Sequence, residues 1–357
     1  FGIKNPLIVT DKGSTELYFI KELKELLSKA NIKSDLFFDI SPNPREDEVS
    51  VGCKKYKDGS HDAIIAIGGG SAMDGGKLIC LTANNDIPLR DFEFELTPPK
   101  ISKDNPFPKI ITIPTTAGTG AETEITAMVT YLKEGMKFCM WHPDARPVLA
   151  LVDPELTLGL PPSLTAWTGV DAMVHAIEGY CVPGFNPLCD GSAIESLSLI
   201  SKSLYLAVEE PKNLVARGGM HVGSYLGGVA FLKGLGLVHA ISHMVGAEFN
   251  TQHGLTNAII LPVVLRYNLS GMDEKVKRMS EAMQFKDHSI EAFITNIEKM
   301  LDRLNIPKSL SEIGVPEDCV ERIAKKAMKD QAYATNPKIA TLEEVKEMTL
   351  ASIKKAR

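Results

Sequence analysis

The chain has 357 residues, which is long enough for two domains. Its content of 44% hydrophobic and 24% charged residues is usual for a globular protein. Its formal net charge of −6, from 39 basic and 45 acidic residues, gives no electrostatic basis for binding nucleic acid or an anionic membrane. No apolar run reaches the roughly 18 residues that a transmembrane helix needs.

The first half of the chain alternates predicted strands and helices. The run Ala63–Ile67 (AIIAI) is apolar throughout, which is typical of a strand buried on both faces of a parallel sheet. The remaining predictions are strands at residues 7–10, 33–38, 109–113 and 149–154, helices at residues 15–30 and 47–56, and a further helix that follows the segment 68–77. We therefore expect an α/β N-terminal domain with a parallel sheet.

Two loops of small residues follow predicted strands. Residues 68–77 read GGGSAMDGGK and residues 114–120 read PTTAGTG. Backbone amides at a helix N-terminus bind phosphate, and ligands of open α/β sheets lie at the carboxyl ends of the strands. The two loops together predict a site for a pyrophosphate-containing nucleotide. Neither matches the G-x-G-x-x-G or the G-x-x-x-x-G-K-[ST] motif, so an ordinary Rossmann or ATPase site is not predicted.

Asp11 ends the first predicted strand. An acid at this position can accept hydrogen bonds from a ribose and would repel a 2′-phosphate, which favours NAD over NADP. The same carboxylate could instead cap the helix that follows, and the two roles are compatible.

The second half is predicted to be entirely helical from Pro161 onward, so we place the domain boundary between residues 160 and 161. Residues 1–160 form the predicted nucleotide-binding domain, and residues 161–357 the helical domain. Its predicted helices span residues 164–180, 190–208, 219–232, 239–247, 257–267, 274–283, 290–304, 316–329 and 342–355, with a loop at residues 330–337.

Four of the eight histidines and one acid form a candidate metal site in this half. Asp171 and His175, and likewise His239 and His243, are four residues apart and share a helix face. His253 follows in the same segment. Carboxylate and imidazole ligands suit a borderline divalent ion such as zinc or ferrous iron. An unpaired imidazole among small and apolar neighbours would be costly, which favours a shared role for Asp171, His175, His239 and His253.

With these motifs the sequence resembles the iron-dependent (group III) alcohol dehydrogenases over essentially its whole length. The resemblance rests on the segment Gly68–Lys77, on Pro114–Glu122, on Gly169–Glu178 and, most specifically, on Gly234–Asn257. It implies a dehydroquinate synthase-like architecture, an α/β domain followed by an all-α domain. Gly76, Ala121 and Met244 depart from the family's usual Ala, Ser and Pro.

The resemblance also implies roles for individual residues. Asp171, His175, His239 and His253 correspond to the metal ligands, whereas His243 corresponds to a histidine near the nicotinamide. Orienting a metal ligand is the alternative role for His243. The implied NAD-binding residues are Asp11, Asn43, Gly69, Gly70, Ser71, Asp74, Thr115, Thr116, Thr119 and Lys137.

The implied activity is reversible, NAD-linked oxidation of a small primary alcohol or diol, with Fe²⁺, Zn²⁺ or another divalent metal polarising the alcohol oxygen. A zinc glycerol dehydrogenase-like activity on polyols is one alternative. A metal-dependent hydrolase or lyase that binds a phosphorylated substrate without redox chemistry is another, and a non-catalytic metal or nucleotide sensor a third.

The last expectations concern the location, the oligomeric state and the partners of the whole molecule. Six cysteines without a CxxC pair predict reduced thiols in a cytoplasmic protein. The resemblance implies a homodimer or a higher homo-oligomer, although the opening β-hairpin that often contributes to the dimer in this family is absent from the sequence. Its partners would be small alcohols and aldehydes, and neither nucleic acid nor a membrane.

Overall fold

The computed structural model describes residues 1–357, and it separates into two compact units. The first comprises residues 1–116 and 121–156, and the second comprises residues 117–120 and 157–357. The first unit alternates strands with helices and contains a parallel sheet, whereas the second is helical. The predicted fold class is thus confirmed.

The first unit is built on five parallel strands. In chain order the strands of this unit are β1 (Pro6–Asp11), β2 (Asp35–Ile40), β3 (Ala63–Gly68), β4 (Lys109–Pro114), β5 (Thr126–Tyr131), β6 (Met136–Trp141) and β7 (Leu149–Ala150). The parallel sheet has the order β2-β1-β3-β4-β7, and β5 and β6 form a separate antiparallel pair. The helices of the unit are α1 (Tyr18–Lys29), α2 (Glu46–Asp58) and α3 (Gly70–Ala83).

Alternating residues of β1 explain why this sheet is covered on both faces. Leu7 and Val9 belong to one buried cluster, which includes Met73 of α3. Ile8, between them, belongs to a second cluster with Phe19 of α1. Because successive strand residues point to opposite faces, one continuously apolar strand supplies both clusters.

Two local predictions for the first half need correction, and one hairpin was not predicted. Helix α1 begins at Tyr18 rather than at residue 15, because Asp11 caps a short 3-10 turn over Lys12–Ser14 that precedes the helix. The last strand, predicted over residues 149–154, pairs only at Leu149–Ala150. The hairpin β5–β6 was not predicted. Its strands pair along their length with each other, and single bridges join Thr130 to Arg45 and Met140 to Glu93.

The second unit contains ten α-helices, and residues 304–319 form its longest connection, which includes two 3-10 turns. They are α4 (Pro162–Cys181), α5 (Pro187–Glu209), α6 (Leu214–Ala230), α7 (Leu237–Phe249), α8 (His253–Asn268), α9 (Asp273–Ala282), α10 (Ile290–Arg303), α11 (Val320–Ala327), α12 (Gln331–Ala334) and α13 (Leu342–Lys354). Helix α4 is buried along most of its length. Helix α12 lies in the predicted loop, and the Asp330 side chain caps it.

None of the helices, taken singly, combines the length and the apolar character that a membrane span requires. One bent pair, Leu214–Lys233 with Leu237–Phe249, meets that criterion only when its two segments are taken together across a 105° bend. All six cysteines are free thiols.

Candidate metal centre and cofactor loops

Three helices of the second unit bring one carboxylate and three imidazoles to a single point. Helix α4 supplies Asp171 and His175, α7 supplies His239, and His253 is the first residue of α8. The Nε2 atoms of His175, His239 and His253 lie 3.9, 3.9 and 3.7 Å from Asp171 Oδ1. A tetrahedral ion with bonds of about 2.1 Å spaces its donor atoms roughly 3.4 Å apart, close to these separations.

Close packing of α8 against α4 places His253 beside Asp171. The residue after His253 is Gly254, where a Cβ atom would lie 2.4 Å from the Trp167 carbonyl oxygen and 3.0 Å from Asp171 Cβ. Only a residue without a side chain allows the two helices to approach this closely. Gly254 is therefore a steric requirement of the cluster.

Hydrogen bonds hold two of the imidazoles with Nε2 directed at the cluster. His239 Nδ1 lies 2.6 Å from Glu178 Oε2, and His175 Nδ1 lies 3.3 Å from the Gly118 carbonyl oxygen. The second oxygen of Glu178 accepts from the Val238 amide at 2.8 Å. Because an acceptor at Nδ1 keeps the proton there, Nε2 is left with its lone pair.

The environment sets opposite pKa shifts on these two histidines. Burial lowers the pKa of His175 to about 4, despite the opposing charge of Asp171, so this imidazole is neutral at physiological pH. Burial also acts to lower the pKa of His239, but the hydrogen bond and negative charge of Glu178 outweigh it and raise that pKa. A neutral imidazole is the form that binds a metal.

The contacts of Asn257 indicate whether the cluster fits a cation. Its Nδ2 lies 2.7 Å from Asp171 Oδ1 and 3.1 Å from the Nε2 atoms of both His239 and His253. One amide nitrogen has two hydrogens, yet three acceptor atoms converge on it. The cluster thus has more lone pairs than donors, which is the condition that a divalent cation satisfies.

His243 lies one helical turn after His239, outside this set of four. Its ring stacks on that of His253, with centroids 5.4 Å apart, and its Nδ1 is 2.9 Å from Asp330 Oδ2. The other oxygen of Asp330 accepts the Ala332 amide at 2.8 Å. Asp330 therefore binds one donor with each oxygen and fixes the His243 ring.

The two predicted phosphate loops contact each other within the first unit. Gly69 is the N-cap of α3 and Gly70 is its first residue. The Thr115 amide donates to the Gly68 carbonyl at 2.8 Å, and the Thr116 side chain lies beside Gly69. Thr119, in contrast, belongs to the short segment 117–120 that packs with the second unit.

Several of the other predicted cofactor residues make hydrogen bonds within the chain. Asp11 accepts from the Ser14 amide at 3.1 Å and from its hydroxyl at 2.7 Å, so the capping role is realised. The Ser71 hydroxyl donates to the carbonyl of Pro42, the residue before the buried Asn43.

Asp74 accepts the Met128 amide of β5 at 3.2 Å. Burial raises the pKa of Asp74 to about 6, although Lys77, this hydrogen bond and Lys137 act to lower it. The Lys77 ammonium donates to the Thr126 carbonyl at 2.9 Å, and Lys137 is buried on β6. Asp74 and Lys77 thus attach α3 to the hairpin β5–β6.

Comparison with known proteins identifies the family. A family model described as iron-containing alcohol dehydrogenase matches residues 1–154, and one described as the C-terminal part of that family matches residues 165–353. The chain belongs to the iron-containing alcohol dehydrogenase family. Its predicted membership and its assignment as a metal-dependent oxidoreductase of alcohols and aldehydes are thus confirmed.

Relatives align with this alcohol dehydrogenase over nearly their full length. It is 34% identical to the NAD-dependent methanol dehydrogenase of Bacillus methanolicus, covering 97% of this chain and 92% of the relative. It is also 34% identical to the lactaldehyde reductase of Escherichia coli K12, covering 97% and 91%. A crystal structure of a 1,3-propanediol oxidoreductase superposes with a TM-score of 0.92 at 32% identity, covering 99% and 93%.

Sequence reasoning assigned no role to Glu178, Asn257 or Asp330. Glu178 was identifiable in principle, because it follows Asp171 and His175 at helical spacing on α4. Asn257 follows His253 by four residues on α8 in the same way. Asp330 lies 87 residues from its partner His243, so no local pattern indicates the contact.

Proposed function

We propose that this chain is a metal-dependent, NAD-linked alcohol dehydrogenase or aldehyde reductase that acts on small primary alcohols or diols. The convergence of Asp171, His175, His239 and His253 on one point, with two imidazoles oriented through Nδ1, is the observation that carries the proposal. The names of relatives support the substrate class, since they include a methanol dehydrogenase and a lactaldehyde reductase.

We assign the four clustered residues as ligands of Fe²⁺, with Zn²⁺ or another divalent ion as a substitute. When bound, the ion supplies a Lewis acid that polarises an alcohol or carbonyl oxygen. Glu178 and the Gly118 carbonyl fix the rings of His239 and His175, so their Nε2 atoms need no reorientation to bind it.

We assign NAD binding to the glycine and threonine loops and to their neighbours. NAD, when bound, supplies the hydride acceptor. The N-terminus of α3 offers backbone amides to a pyrophosphate, and Asp11 favours a ribose without a 2′-phosphate. The proposed contact residues are Asp11, Asn43, Gly69, Gly70, Ser71, Asp74, Thr115, Thr116, Thr119 and Lys137.

We assign proton transfer to His243. Asp330 accepts its Nδ1–H, which leaves Nε2 as the proton acceptor of the neutral ring. Nε2 then takes the proton of the substrate hydroxyl and passes it toward solvent.

We further propose that residues 1–160 bind the cofactor and residues 161–357 hold the metal, in a cytoplasmic homodimer or higher homo-oligomer. The division of contacts near residue 157 supports the two-domain assignment, and the six free thiols support the cytoplasmic location.

The test is NADH formation by protein reconstituted with Fe²⁺ or Zn²⁺, measured against a panel of short alcohols, diols and glycerol with NAD and NADP. We expect metal-dependent reduction of NAD, faster with small primary alcohols or diols than with glycerol. A preference for glycerol with zinc would favour the polyol dehydrogenase alternative. No NADH with any alcohol and any metal would contradict the proposal and favour hydrolase or lyase chemistry.

A further inference from the structure

A buried arginine of the helical unit lies outside the metal centre. Arg217, in the first turns of α6, is only 2% exposed. Its Nε donates to the Pro211 carbonyl at 3.0 Å, and its Nη1 donates to Thr165 Oγ1 at 2.8 Å. Nη2 is buried without a hydrogen-bond acceptor.

No carboxylate compensates the charge of this guanidinium. Arg217 forms no ion pair, and burial alone lowers its pKa below the ordinary value. An arginine side chain nevertheless stays protonated in proteins. A buried charge without a partner is strongly unfavourable, so the site requires either a counter-ion or solvent.

Arg217 lines a small pocket within the helical unit. The pocket walls include Ala117, Thr165, Thr168 and Met220, and no acidic side chain is among its lining residues. Its free space is small, with room for a single monatomic ion or water molecule. The Thr165 hydroxyl accepts from Arg217, which leaves its own hydrogen able to donate to an occupant.

We propose that Arg217 binds a small inorganic anion of the size of chloride in this pocket. A water molecule would satisfy the Nη2 hydrogen bond but would leave the charge uncompensated, whereas a halide does both. Sulfate and phosphate are too large for the space. The threonine and alanine walls add no negative charge that would repel the ion.

The pocket lies against the segment that orients a proposed metal ligand. Ala117 precedes Gly118, whose carbonyl accepts from His175 Nδ1. Gly118 also packs on Thr168, where a Cβ atom at Gly118 would lie 2.7 Å from Thr168 Cβ. An anion beside Ala117 and Thr168 would therefore stabilise this segment.

Bromide is the probe, because it has the charge of chloride and can be located by anomalous diffraction. Crystals of the metal-reconstituted wild-type protein, grown with sodium bromide, should show an anomalous peak next to Arg217 Nη2. The peak should be absent in Arg217→Met and retained in Arg146→Met, which removes an exposed arginine as a matched control. An ordered water without an anomalous signal would overturn the proposal.

Thermal unfolding supplies the solution measurement. At constant ionic strength, the unfolding midpoint in bromide relative to that in sulfate should be higher for the wild type and for Arg146→Met than for Arg217→Met, because the nonspecific stabilisation by sulfate is common to all three proteins. A bromide peak in the crystal with no such difference in solution would mean an adventitious ion only and would equally overturn the proposal. If Arg217→Met does not fold, Arg217→Lys replaces it, with a weaker bromide effect expected.

Discussion

The metal cluster and the glycine loops differ in how they use the side chains that the sequence singled out. In the cluster, three histidines direct Nε2 at Asp171, and partners such as Glu178 hold the rings in place. In the loop region, Asp11, Ser71 and Asp74 bind other parts of the same unit.

The difference indicates two kinds of site. The cluster is specified by side-chain chemistry, so a single polar change there should affect metal binding or turnover more than folding. The loop region is specified by backbone geometry, and its polar side chains stabilise that geometry. Changes there should act first on local stability.

Asp330→Asn should lower turnover about 10²-fold or more, with little change in metal content. The amide oxygen is expected to remain on the Ala332 amide, so the NH₂ group would face His243 Nδ1 and force the ring proton to Nε2. Steady-state kinetics and metal analysis would measure this. Asp273→Asn, the same change at an exposed acid, is the control. Near-normal turnover in Asp330→Asn would contradict the assignment of proton transfer to His243.

Glu178→Gln should weaken metal binding about 10- to 100-fold. The amide cannot accept from both the Val238 amide and His239 Nδ1 without losing one of these contacts. Competition with a chelator gives the affinity, and Glu195→Gln on the exposed face of α5 is the matched control. Unchanged affinity would show that Glu178 does not orient the ligand.

Gly254→Ala should destabilise the fold by about 1–3 kcal/mol, because its Cβ would meet the Trp167 carbonyl oxygen at 2.4 Å. Metal affinity should fall with it, since relief of the clash moves His253 from Asp171. Gly191→Ala is the control, at an exposed helical glycine with open space around it. It should be neutral or stabilising by up to about 1 kcal/mol. Denaturant unfolding of both variants would decide.

Asp74→Asn should have the smallest effect and one that depends on pH. Burial raises the pKa of Asp74 to about 6, above its unfolded value, so the folded state binds more protons between about pH 4 and 6. The Asp74 contribution to stability is thus present at low pH and lost as pH rises through 6. Relative to wild type, Asp74→Asn should gain thermal stability from pH 5 to pH 7.5. Parallel curves for the two proteins would contradict this assignment.

Local patterns predicted the features that depend on neighbouring residues. The apolar strands, the glycine loops and the spacing of Asp171 and His175 are all properties of short segments. The hairpin β5–β6 escaped prediction because its strands are separate from the main sheet. The contact between Asp330 and His243 depends on the packing of α12 against α7, which no short segment encodes.

The proposed metal centre is tested most directly by His239→Ala, assayed for bound metal and for NADH formation from a short primary alcohol. His239 is 1% exposed, its Nε2 lies 3.9 Å from Asp171 Oδ1, and its Nδ1 binds Glu178. The substitution therefore removes a proposed ligand and leaves the Glu178 carboxylate without that partner. We predict that metal content and turnover are lost together, while the far-ultraviolet circular dichroism spectrum remains that of a folded protein. A variant that kept both its metal and its turnover would contradict the proposed metal centre.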